Sequence, residues 1–299
     1  METLHDLGEF GFIERFAKQI HIGRDVVKGI GDDTAVIDVG GKDYLLLTTD
    51  MLVEGTHFLR TMMSPQEIGR KALACSISDI AAMGGDPTYA VVSLGAPSNI
   101  SAQLIEGIGE GINILAKEFG ISVVGGDTVQ NSRIIINVAL LGKVRKDEVV
   151  YRKGAKRGDI IFVTGALGDS FKSRKHLYFK PCVAQAHFLI RHAQPTAMMD
   201  ISDGLAGDLG HILRQSKVGA LLKEAKIPLA KGATLQQALH DGEDFELLFT
   251  VRPADADTIR RTKRFRFYEI GTIVSGNSLM MLFKNGQKRK VEMTGFEHF

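Results

Sequence analysis

Acidic residues recur beside glycine or other small residues at five separate places in the 299-residue chain, mostly after apolar runs. The five segments are Gly29–Asp33, Thr48–Asp50, Ser78–Asp79, Gly125–Thr128 and Asp200–Gly204. Because an apolar run that ends at such residues is typical of a strand entering a loop, we expect most of these carboxylates at strand ends. Two unit charges about 4 Å apart repel by about 4 kcal/mol at an effective dielectric constant of 20. Convergence of the five segments would therefore need a cation.

The ligand types narrow the choice of cation. Carboxylate and hydroxyl oxygens select Mg²⁺, Ca²⁺ or Mn²⁺, and Mg²⁺ usually binds together with substrate phosphates. The chain has two cysteines, Cys75 and Cys182, and no CxxC spacing. This pattern excludes a disulfide framework, does not indicate a zinc or iron–sulfur site, and fits a reducing, cytoplasmic setting.

Each acidic segment also has an ordinary structural interpretation. Asp32 and Asp33 are compatible with a turn, and Asp200 and Asp203 with a cap on the following helix. Asp79 lies among apolar residues of a predicted helix. Since a charged side chain is almost never fully buried unpaired, a metal ion or an arginine partner is favoured there over a solvated face. The agreement of five segments favours one shared site.

Three other polar residues each have a structural and a functional interpretation. His57 is either a loop residue or a ligand contact. Arg152 either pairs with a phosphate group or lies on the surface of a charged loop. Glu243, just before an apolar run, is either a turn residue or a substrate contact.

Composition limits the classes of partner. The apolar fraction of 44% supports a substantial core, and the net charge of +2 implies no broad field for nucleic acids or membranes. The basic clusters at 260–266 and 284–290 fit a solvated surface. Residues 1–10 lack the apolar core of a signal peptide, and no apolar run approaches the ~20 residues that span a bilayer. We therefore expect no nucleic-acid or membrane partner.

Patterns of apolar residues predict alternating strands and helices. A capping box at Ser64-Pro65 with Glu67 predicts a helix to about Met83, and a second helix is predicted from Ser101 to Phe119. A third is predicted to begin near 202–203. The predicted strands are Tyr44–Thr49, Tyr89–Leu94, Ser122–Val124, Arg133–Leu141, Ile160–Thr164, Glu246–Val251 and Leu279–Phe283. A charged loop places a domain boundary near residue 145, giving domains 1–145 and 146–299.

Several common nucleotide motifs are missing from the chain. It contains no GxxxxGK[ST] phosphate loop and no HRD or DFG segment of protein kinases. Gly29-Ile30-Gly31 has the spacing of a dinucleotide loop, but Asp32 and Asp33 follow at once and would repel a pyrophosphate unless a cation lay between. No arrangement of Ser, His or Cys indicates a covalent nucleophile.

Longer segments carry a resemblance to a known family. The chain resembles the thiamine-monophosphate kinases of the aminoimidazole-ribonucleotide-synthetase-like superfamily over nearly its whole length, and the matching segments follow the order they have in that family. The matching segments are GIGDDTAV (29–36), TTDMLVEGTHF (48–58), GRKALACSISDIAAMGGDP (69–87), VGGDT (124–128), VTGALGDS (163–170), MDISDGLAGDLGHI (199–212), GEDFELLF (242–249) and the aromatic tail GFEHF (295–299).

The resemblance implies an α/β (α+β) fold of two domains. The N-terminal domain would pair with its copy in a homodimer to form a shared β-barrel, and a C-terminal α+β domain would cover the active site. The implied reaction is direct in-line phosphoryl transfer from ATP to thiamine monophosphate, giving thiamine diphosphate and ADP, with several Mg²⁺ ions.

The resemblance also implies the site residues. It implies that Asp50, Asp127 and Asp203 take part in catalysis. The implied nucleotide contacts are Gly126, Asp127, Arg152 and Ser202, and the implied thiamine-phosphate contacts are His57, Glu243 and Phe296. The implied metal ligands are Asp33, Thr48, Thr49, Asp50, Asp79, Asp127, Asp200 and Asp203.

Alternatives within and beyond the superfamily remain. The first is another ATP-using member: a ring-closing synthetase, a selenophosphate synthetase or a carbamoyl-dehydrating maturation protein. Selenophosphate synthesis needs a reactive Cys near the N-terminus and the maturation proteins a C-terminal Cys, and the chain has neither. The second is a non-catalytic nucleotide or metal sensor. Ser76, Asp241 and Phe245 depart from the family pattern, the last two beside Glu243.

Overall fold

The computed structural model describes residues 2–299, whose strands form two sheets. The helices are α1 (Leu4–Ala17), α2 (Pro65–Ala82), α3 (Ala102–Phe119), α4 (Lys175–Tyr178), α5 (Val183–His192), α6 (Leu205–Ser216), α7 (Leu235–His240) and α8 (Pro253–Arg261). The strands are β1 (Val26–Lys28), β2 (Ala35–Ile37), β3 (Asp43–Val53), β4 (Asp86–Ala96), β5 (Ser122–Gln130), β6 (Ile135–Arg145), β7 (Ile160–Val163), β8 (Ala197–Asp200), β9 (Gly219–Lys223), β10 (Leu247–Val251), β11 (Tyr268–Val274), β12 (Leu279–Leu282) and β13 (Lys288–Val291).

The first sheet has the strand order β1-β2-β3-β6-β4-β5. β6 pairs antiparallel with β3 and β4, whereas β5 pairs parallel with β4. One face packs on α2 and α3, and alternate residues such as Leu46, Val138 and Leu140 are buried there. The opposite face leaves apolar side chains exposed, including Met51 and Tyr89. A single chain thus covers only one face of this sheet.

Helices α2 and α3 pack against each other unusually closely. A Cβ added to Gly69 would lie 1.9 Å from the carbonyl oxygen of Ile108, and one added to Gly111 would lie 2.0 Å from that of Gln66. The capping box predicted at Ser64 is confirmed, with both of its hydrogen bonds to Glu67 formed. These glycines allow the backbones of the two helices to come into contact.

The second sheet has the order β13-β12-β9-β11-β7-β10-β8 and is covered on both faces. One face packs on α6 and α7 through residues such as Val163 and Leu248. The other packs on α5 and α8, and Phe162 and Phe249 stack there with ring centroids 5.5 Å apart. This sheet is therefore an interior layer.

Helix α2 also joins the two sheets. Arg70 donates hydrogen bonds to the carbonyl oxygens of Leu177 and Phe179 at 2.7 and 2.6 Å, and Ser78 donates one to Asp200 at 2.6 Å. The boundary predicted near residue 145 falls between β6 and β7. The exact domain bounds, 1–145 and 146–299, stay a prediction.

The structure corrects two expectations about strand ends. Asp50 lies inside the eleven-residue β3, and Asp127 lies inside β5, rather than at loop tips. Both strands continue because neighbouring strands supply hydrogen-bond partners beyond the acidic residue. The helices predicted at 64–83 and 101–119 are confirmed within a residue or two. Within residues 2–299, no helix combines the length and apolar character needed to cross a bilayer.

Candidate metal centre and flanking cavities

Three carboxylates meet where the two sheets approach each other. Asp33, Asp79 and Asp200 each place one oxygen atom so that all three lie within 4.8 Å of one another. Asp33 precedes β2, Asp79 lies near the end of α2, and Asp200 is the last residue of β8. The sequence assigned all three to one metal site, and the fold brings these three together from distant parts of the chain.

Hydroxyl groups hold the carboxylates of this centre in place. Thr48 donates a hydrogen bond to Asp79 at 2.5 Å, and Ser78 donates one to Asp200 at 2.6 Å. Ser76 donates one to Asp50 at 2.6 Å. Helix α2 thus fixes carboxylates on both β3 and β8. Ser76 therefore takes part in the site despite its departure from the family pattern.

The carboxylates of this centre carry more negative charge than their surroundings balance. Burial, and then the charges of Asp50, Asp200 and Asp33, raise the pKa of Asp79 well above its usual value. Burial and then Asp33 raise the pKa of Asp200 to about 7. Burial also raises the pKa of Asp50. A bound cation would reverse these shifts, because it favours the ionised form.

Arg152 is a cation within this group of carboxylates. Its Nε and Nη2 both donate to one oxygen of Asp33, at 3.1 and 2.5 Å, and its backbone N–H donates to Asp32 at 3.1 Å. Although burial lowers the pKa of Arg152, Asp33 and Asp32 raise it more. Arg152 balances one carboxylate, which leaves Asp79, Asp200 and Asp50 for another cation.

The donor set fits a hard divalent cation. The second carboxylate oxygen of Asp33 is buried and has no hydrogen-bond partner among the described residues, whereas that of Asp32 lies 3.6 Å from Nζ of Lys28. Buried unpaired oxygens of this kind are costly unless a metal ion or a proton satisfies them. Oxygen-only donors match the preference of Mg²⁺ for carboxylates. Thr48, through its bond to Asp79, lies in contact with the same group.

A cavity of about 700 Å³, here called the central cavity, opens beside this centre. It collects many of the residues that the family resemblance implied for metal binding, for catalysis and for both substrates. Those residues are Thr49, Asp50, His57, Ser202, Asp203, Glu243 and Phe296.

His57 has a defined tautomer in this cavity. Its Nδ1 accepts a hydrogen bond from the backbone N–H of Val53 at 3.0 Å, so the neutral ring carries its proton on Nε2. The ring centroid lies 5.2 Å from that of His298 in the C-terminal tail. Burial, and then the charges of His298 and Lys71, lower the pKa of His57. His57 therefore presents a neutral N–H donor near neutral pH.

Glu243 and Phe296 reach the cavity from the second half of the chain. Glu243 adopts a φ of +54° and forms an ion pair with Lys71 at 2.5 Å. The backbone N–H of Phe296 donates to the carbonyl oxygen of Asp203 at 3.0 Å, while the residue stays 48% exposed. Glu243 is thus held by its ion pair and Phe296 by its backbone, and both line the cavity.

A second cavity of about 810 Å³ lies on the other side of Asp203 and Phe296. Asp32 and Arg152 line it, together with His211 of α6. Burial, and then the charges of Arg152 and Arg214, lower the pKa of His211 to about 3. The two cavities therefore meet at Asp203 and Phe296.

Gly126 and Asp127 are not part of this group in a single chain. Asp50 is opposite Val138, Val138 is opposite Val92, and Val92 is opposite Gly126. Three strand spacings separate the ends of this row, roughly 14 Å. Contrary to the expectation of one shared site, a single chain does not supply Asp127 to it. Gly126 also has a structural role, because a Cβ there would lie 1.8 Å from the carbonyl oxygen of Val92.

Lys71 was not among the predicted site residues, and it also lines the central cavity. The sequence nevertheless indicates that Lys71 needs a partner. Lys71 stands in the predicted helix among Leu73, Ala74 and Ile77, and a lysine among residues of a buried face needs a partner.

Comparisons with known proteins agree with this geometry. Two family models match the chain: AIR synthase related protein, N-terminal domain, over residues 31–144, and AIR synthase related protein, C-terminal domain, over residues 140–282. Thiamine-monophosphate kinase of Buchnera aphidicola subsp. Acyrthosiphon pisum is 34% identical, with 97% of this chain and 98% of that protein covered. The chain belongs to the thiamine-monophosphate kinase family. The kinase of Aquifex aeolicus is also 34% identical, with 99% of both chains covered.

A solved structure extends this family relationship to the fold. AaThiL complexed with AMPPCP and TMP has a TM-score of 0.88 and 32% identity, over 100% of this chain and 99% of that one. That kinase was thus solved with a nucleotide analogue and TMP together. The two-domain AIR-synthase-like fold predicted from the sequence is confirmed, whereas a closed barrel is not formed by residues 2–299 of one chain.

Proposed function

We propose that this chain transfers the γ-phosphoryl group of ATP to thiamine monophosphate, giving thiamine diphosphate and ADP. The observation that carries the proposal is the group of Asp33, Asp79 and Asp200. The charge of Asp50, which lines the central cavity, acts on Asp79 and Asp200 of this group. Both substrates of such a transfer are anions, and they must be neutralised before they approach in line. A group of carboxylates that needs cations, near a cavity with aromatic and polar walls, supports this chemistry.

Mg²⁺ would be held by Asp33, Asp79 and Asp200, with Asp50 and Thr48 beside them. When bound, it supplies charge neutralisation for the phosphate oxygens. The side chains of α2, Ser76 and Ser78, keep the carboxylates aimed at one point. Positioning and electrostatics would then provide most of the rate enhancement.

The acceptor needs no strong general base. A phosphate monoester has a second pKa of about 6, so the attacking oxygen is already ionised near neutral pH. Cys75, which lines the cavity, does not supply a nucleophile, because burial and then the charge of Asp50 raise the pKa of its thiol well above the usual value. We therefore infer direct transfer without a phosphorylated enzyme.

Thiamine contacts would come from three sides of the central cavity. Nε2 of His57 offers a hydrogen-bond donor, and Glu243 offers a carboxylate oxygen. The exposed ring of Phe296 offers a face to the cationic thiazolium, an interaction of roughly 0.5–2 kcal/mol. These residues are assigned to the acceptor through the family resemblance, and their common place on one cavity supports the assignment.

We also propose a homodimer that completes the nucleotide side. Among residues 2–299, Thr48–Val53 of β3 has a strand partner on one side only, and every residue of β5 is exposed. Pairing β5 with the partner's β3 would join β3, β6, β4 and β5 of two subunits into an eight-stranded barrel. Asp127 of the partner subunit would then lie beside Thr48–Asp50.

The exposed face of the first sheet supports the same assembly. Leu47, Met51, Tyr89 and Val91 are apolar and exposed there. In an eight-stranded barrel the interior is just wide enough to be filled by side chains, which these residues would supply. Unpaired strand edges and an apolar face of this kind are otherwise an aggregation hazard.

The reaction is tested by ADP release. The protein with Mg²⁺ and ATP is offered thiamine monophosphate or, separately, aminoimidazole precursors, and the phosphorylated product is identified by chromatography. We expect ADP and thiamine diphosphate in equal amounts with the first acceptor only. ADP release with an aminoimidazole precursor alone would favour a ring-closing synthetase, and release with neither would favour a sensor.

A further inference from the structure

A buried lysine lies in the wall of the central cavity and has no part in the mechanism described so far. Lys71 of α2 is 1% exposed. Its Nζ donates to the backbone carbonyl oxygen of His57 at 2.9 Å and to Oε1 of Glu243 at 2.5 Å. A buried ammonium group is costly unless it is paired and hydrogen-bonded. These two partners therefore determine where the side chain can lie.

The two partners of Lys71 come from opposite sides of the cavity. His57 follows β3 of the first sheet, and Glu243 precedes β10 of the second. Glu243 is 172 residues away from Lys71 along the chain. A single ammonium group thus connects His57 in the first half of the chain with Glu243 in the second half, and both are assigned to the acceptor.

The loop that carries Glu243 needs such a connection. Gly242, Glu243 and Phe245 all have positive φ, of 74°, 54° and 50°. Residues other than glycine rarely adopt this backbone region, and they persist there only where surrounding contacts hold them. The N–H groups of Glu243 and Phe245 donate to the carbonyl oxygens of Ser202 and Ile201. Lys71 adds the contact that holds the side chain of Glu243.

We propose that Lys71 is a positioning residue for the acceptor subsite, where it sets the separation of His57 and Glu243 and neutralises Glu243. This inference rests on the proposed function. Without the ammonium group, Glu243 would add an unbalanced negative charge to a cavity that already contains Asp50 and Asp203, and it would repel the acceptor phosphate. Binding of thiamine monophosphate would weaken, whereas ATP binding on the metal side would not.

Arg70 provides a matched control. It precedes Lys71 on the same helix and also connects α2 to the second half of the chain, through the carbonyl oxygens of Leu177 and Phe179. It does not line the central cavity. Arg70→Met therefore removes a cationic contact between the halves without touching the acceptor subsite.

The test compares steady-state kinetics and melting temperatures of the full-length Lys71→Met, Glu243→Gln, double and Arg70→Met variants. Lys71→Met leaves the carboxylate of Glu243, which is 31% exposed in the cavity, without its cation, so it should raise KM for thiamine monophosphate by about 10-fold or more. KM for ATP should stay within about two-fold. The double variant should resemble Glu243→Gln alone, since no unbalanced carboxylate remains. Arg70→Met should lower the melting temperature and leave both KM values unchanged.

Two results would overturn the role of Lys71. One is an unchanged KM for thiamine monophosphate in Lys71→Met, and the other is a parallel rise in both KM values. If Lys71→Met does not fold, Lys71→Gln, which keeps a hydrogen-bond donor but removes the charge, replaces it and should still raise only the acceptor KM above wild type. Wild-type turnover is measured first, because its absence contradicts the proposed function itself, whereas an active wild type with an insensitive Lys71 contradicts only this inference.

Discussion

The two sheets differ in how completely one chain buries them. The second sheet has helices on both faces, and its strands β7 and β10 and its edge strand β8 are almost wholly buried. The first sheet is covered by α2 and α3 alone, and its other face exposes Met51 and Val91. Burial of apolar surface is the main driving force for folding and association. The second sheet therefore obtains its core from its own chain, and the first can complete its core only through a partner.

The candidate site lies at the junction of these two regions. Asp200 ends a buried strand of the second sheet, whereas Asp50 lies on the strand of the first sheet that has a free edge. Helix α2 lies between them and hydrogen-bonds to both. The comparison implies that one side of the site is complete in a monomer and the other, at Asp127, depends on assembly.

Mutation should have its largest effect on the side of the site that a single chain completes, at Asp33, Asp79 and Asp200. Asp79→Asn removes the carboxylate that faces Asp33, Asp200 and Asp50, and we expect kcat to fall by at least about 100-fold. In EDTA the melting temperature should stay level or rise, since repulsion among the carboxylates decreases. Asp147→Asn, on an exposed loop residue, is the control and should change neither quantity. Full activity of Asp79→Asn would remove the basis for a shared metal centre.

The side of the site that depends on assembly, at Asp127, is tested by mixing two inactive variants. Asp127→Asn and Asp200→Asn should each be nearly inactive as homodimers. If Asp127 acts across the interface, a mixed dimer has one site with both changes and one site with neither. Random exchange of equal amounts should then restore about one quarter of the wild-type activity, because half of the dimers are mixed and each has one intact site. No recovery after exchange, confirmed by mass spectrometry, would place Asp127 in the site of its own chain or outside it.

A substitution on the exposed face of the first sheet adds a second test of whether this sheet needs a partner subunit. Met51→Lys should produce a folded monomer by sedimentation, with little activity, because a charge in the barrel interior opposes pairing. Ile114→Lys changes an equally exposed apolar residue on the outer side of α3 and should remain dimeric. A Met51→Lys dimer with wild-type activity would contradict the proposed barrel.

The stability of the metal-free protein should depend on pH at this junction. Burial, followed by neighbouring carboxylates, raises the pKa of Asp200 to about 7 and the pKa values of Asp32 and Asp203 to about 6. Groups with raised folded pKa values stabilise the protein fully below their unfolded values near 4, and this contribution is lost as pH rises through 6 and 7. In EDTA, the melting temperature should therefore fall between pH 5.5 and about 8.

Two observations would qualify this pH dependence. Saturating Mg²⁺ should reverse the trend, since the metal binds the ionised carboxylates, and its stabilising effect should grow with pH. Asp200→Asn should flatten the slope in EDTA. His57 and His211 act in the opposite sense, because burial lowers their pKa values and their contribution is lost only as pH falls below about 6.5. A melting temperature that rises steadily from pH 5.5 to 8 in EDTA would contradict the assigned shifts.

The sequence predicted the local features of this fold better than its long-range ones. The capping box at Ser64 placed α2 correctly, because capping is decided within four residues. Short buried strands such as β8 and β9 were missed, since an apolar run of four or five residues has no period that separates strand from helix. The extent of β3 past Asp50 was also missed, because its pairing partner β6 is far away in sequence.

The candidate site shows the same limit. Asp33, Asp79 and Asp200 could be grouped from their sequence context, and they lie together. The contact of Lys71 with Glu243 could not be predicted, because it depends on how α2 packs between the two sheets. The position of Asp127 depends on a surface that only a second subunit can cover. Local chemistry was therefore readable from the sequence, and contacts made by packing or assembly were not.

The smallest expected effect concerns the aromatic tail, which both cavities share. Phe296 keeps 48% of its surface exposed while its backbone is fixed to Asp203. Such a ring contributes little to the core, so Phe296→Ala should leave the melting temperature and KM for ATP nearly unchanged. Loss of a cation–π contact of roughly 0.5–2 kcal/mol should raise KM for thiamine monophosphate several-fold.

Phe299 allows this effect to be separated from a general role of the tail. It lies three residues further along, is 49% exposed, and does not line either cavity. Phe299→Ala should therefore leave all three quantities unchanged. If Phe296→Ala instead lowers the melting temperature and raises both KM values together, the ring packs the chain end onto the fold. The thiamine contact would then lie with His57 and Glu243, on the side of the cavity that Lys71 holds together.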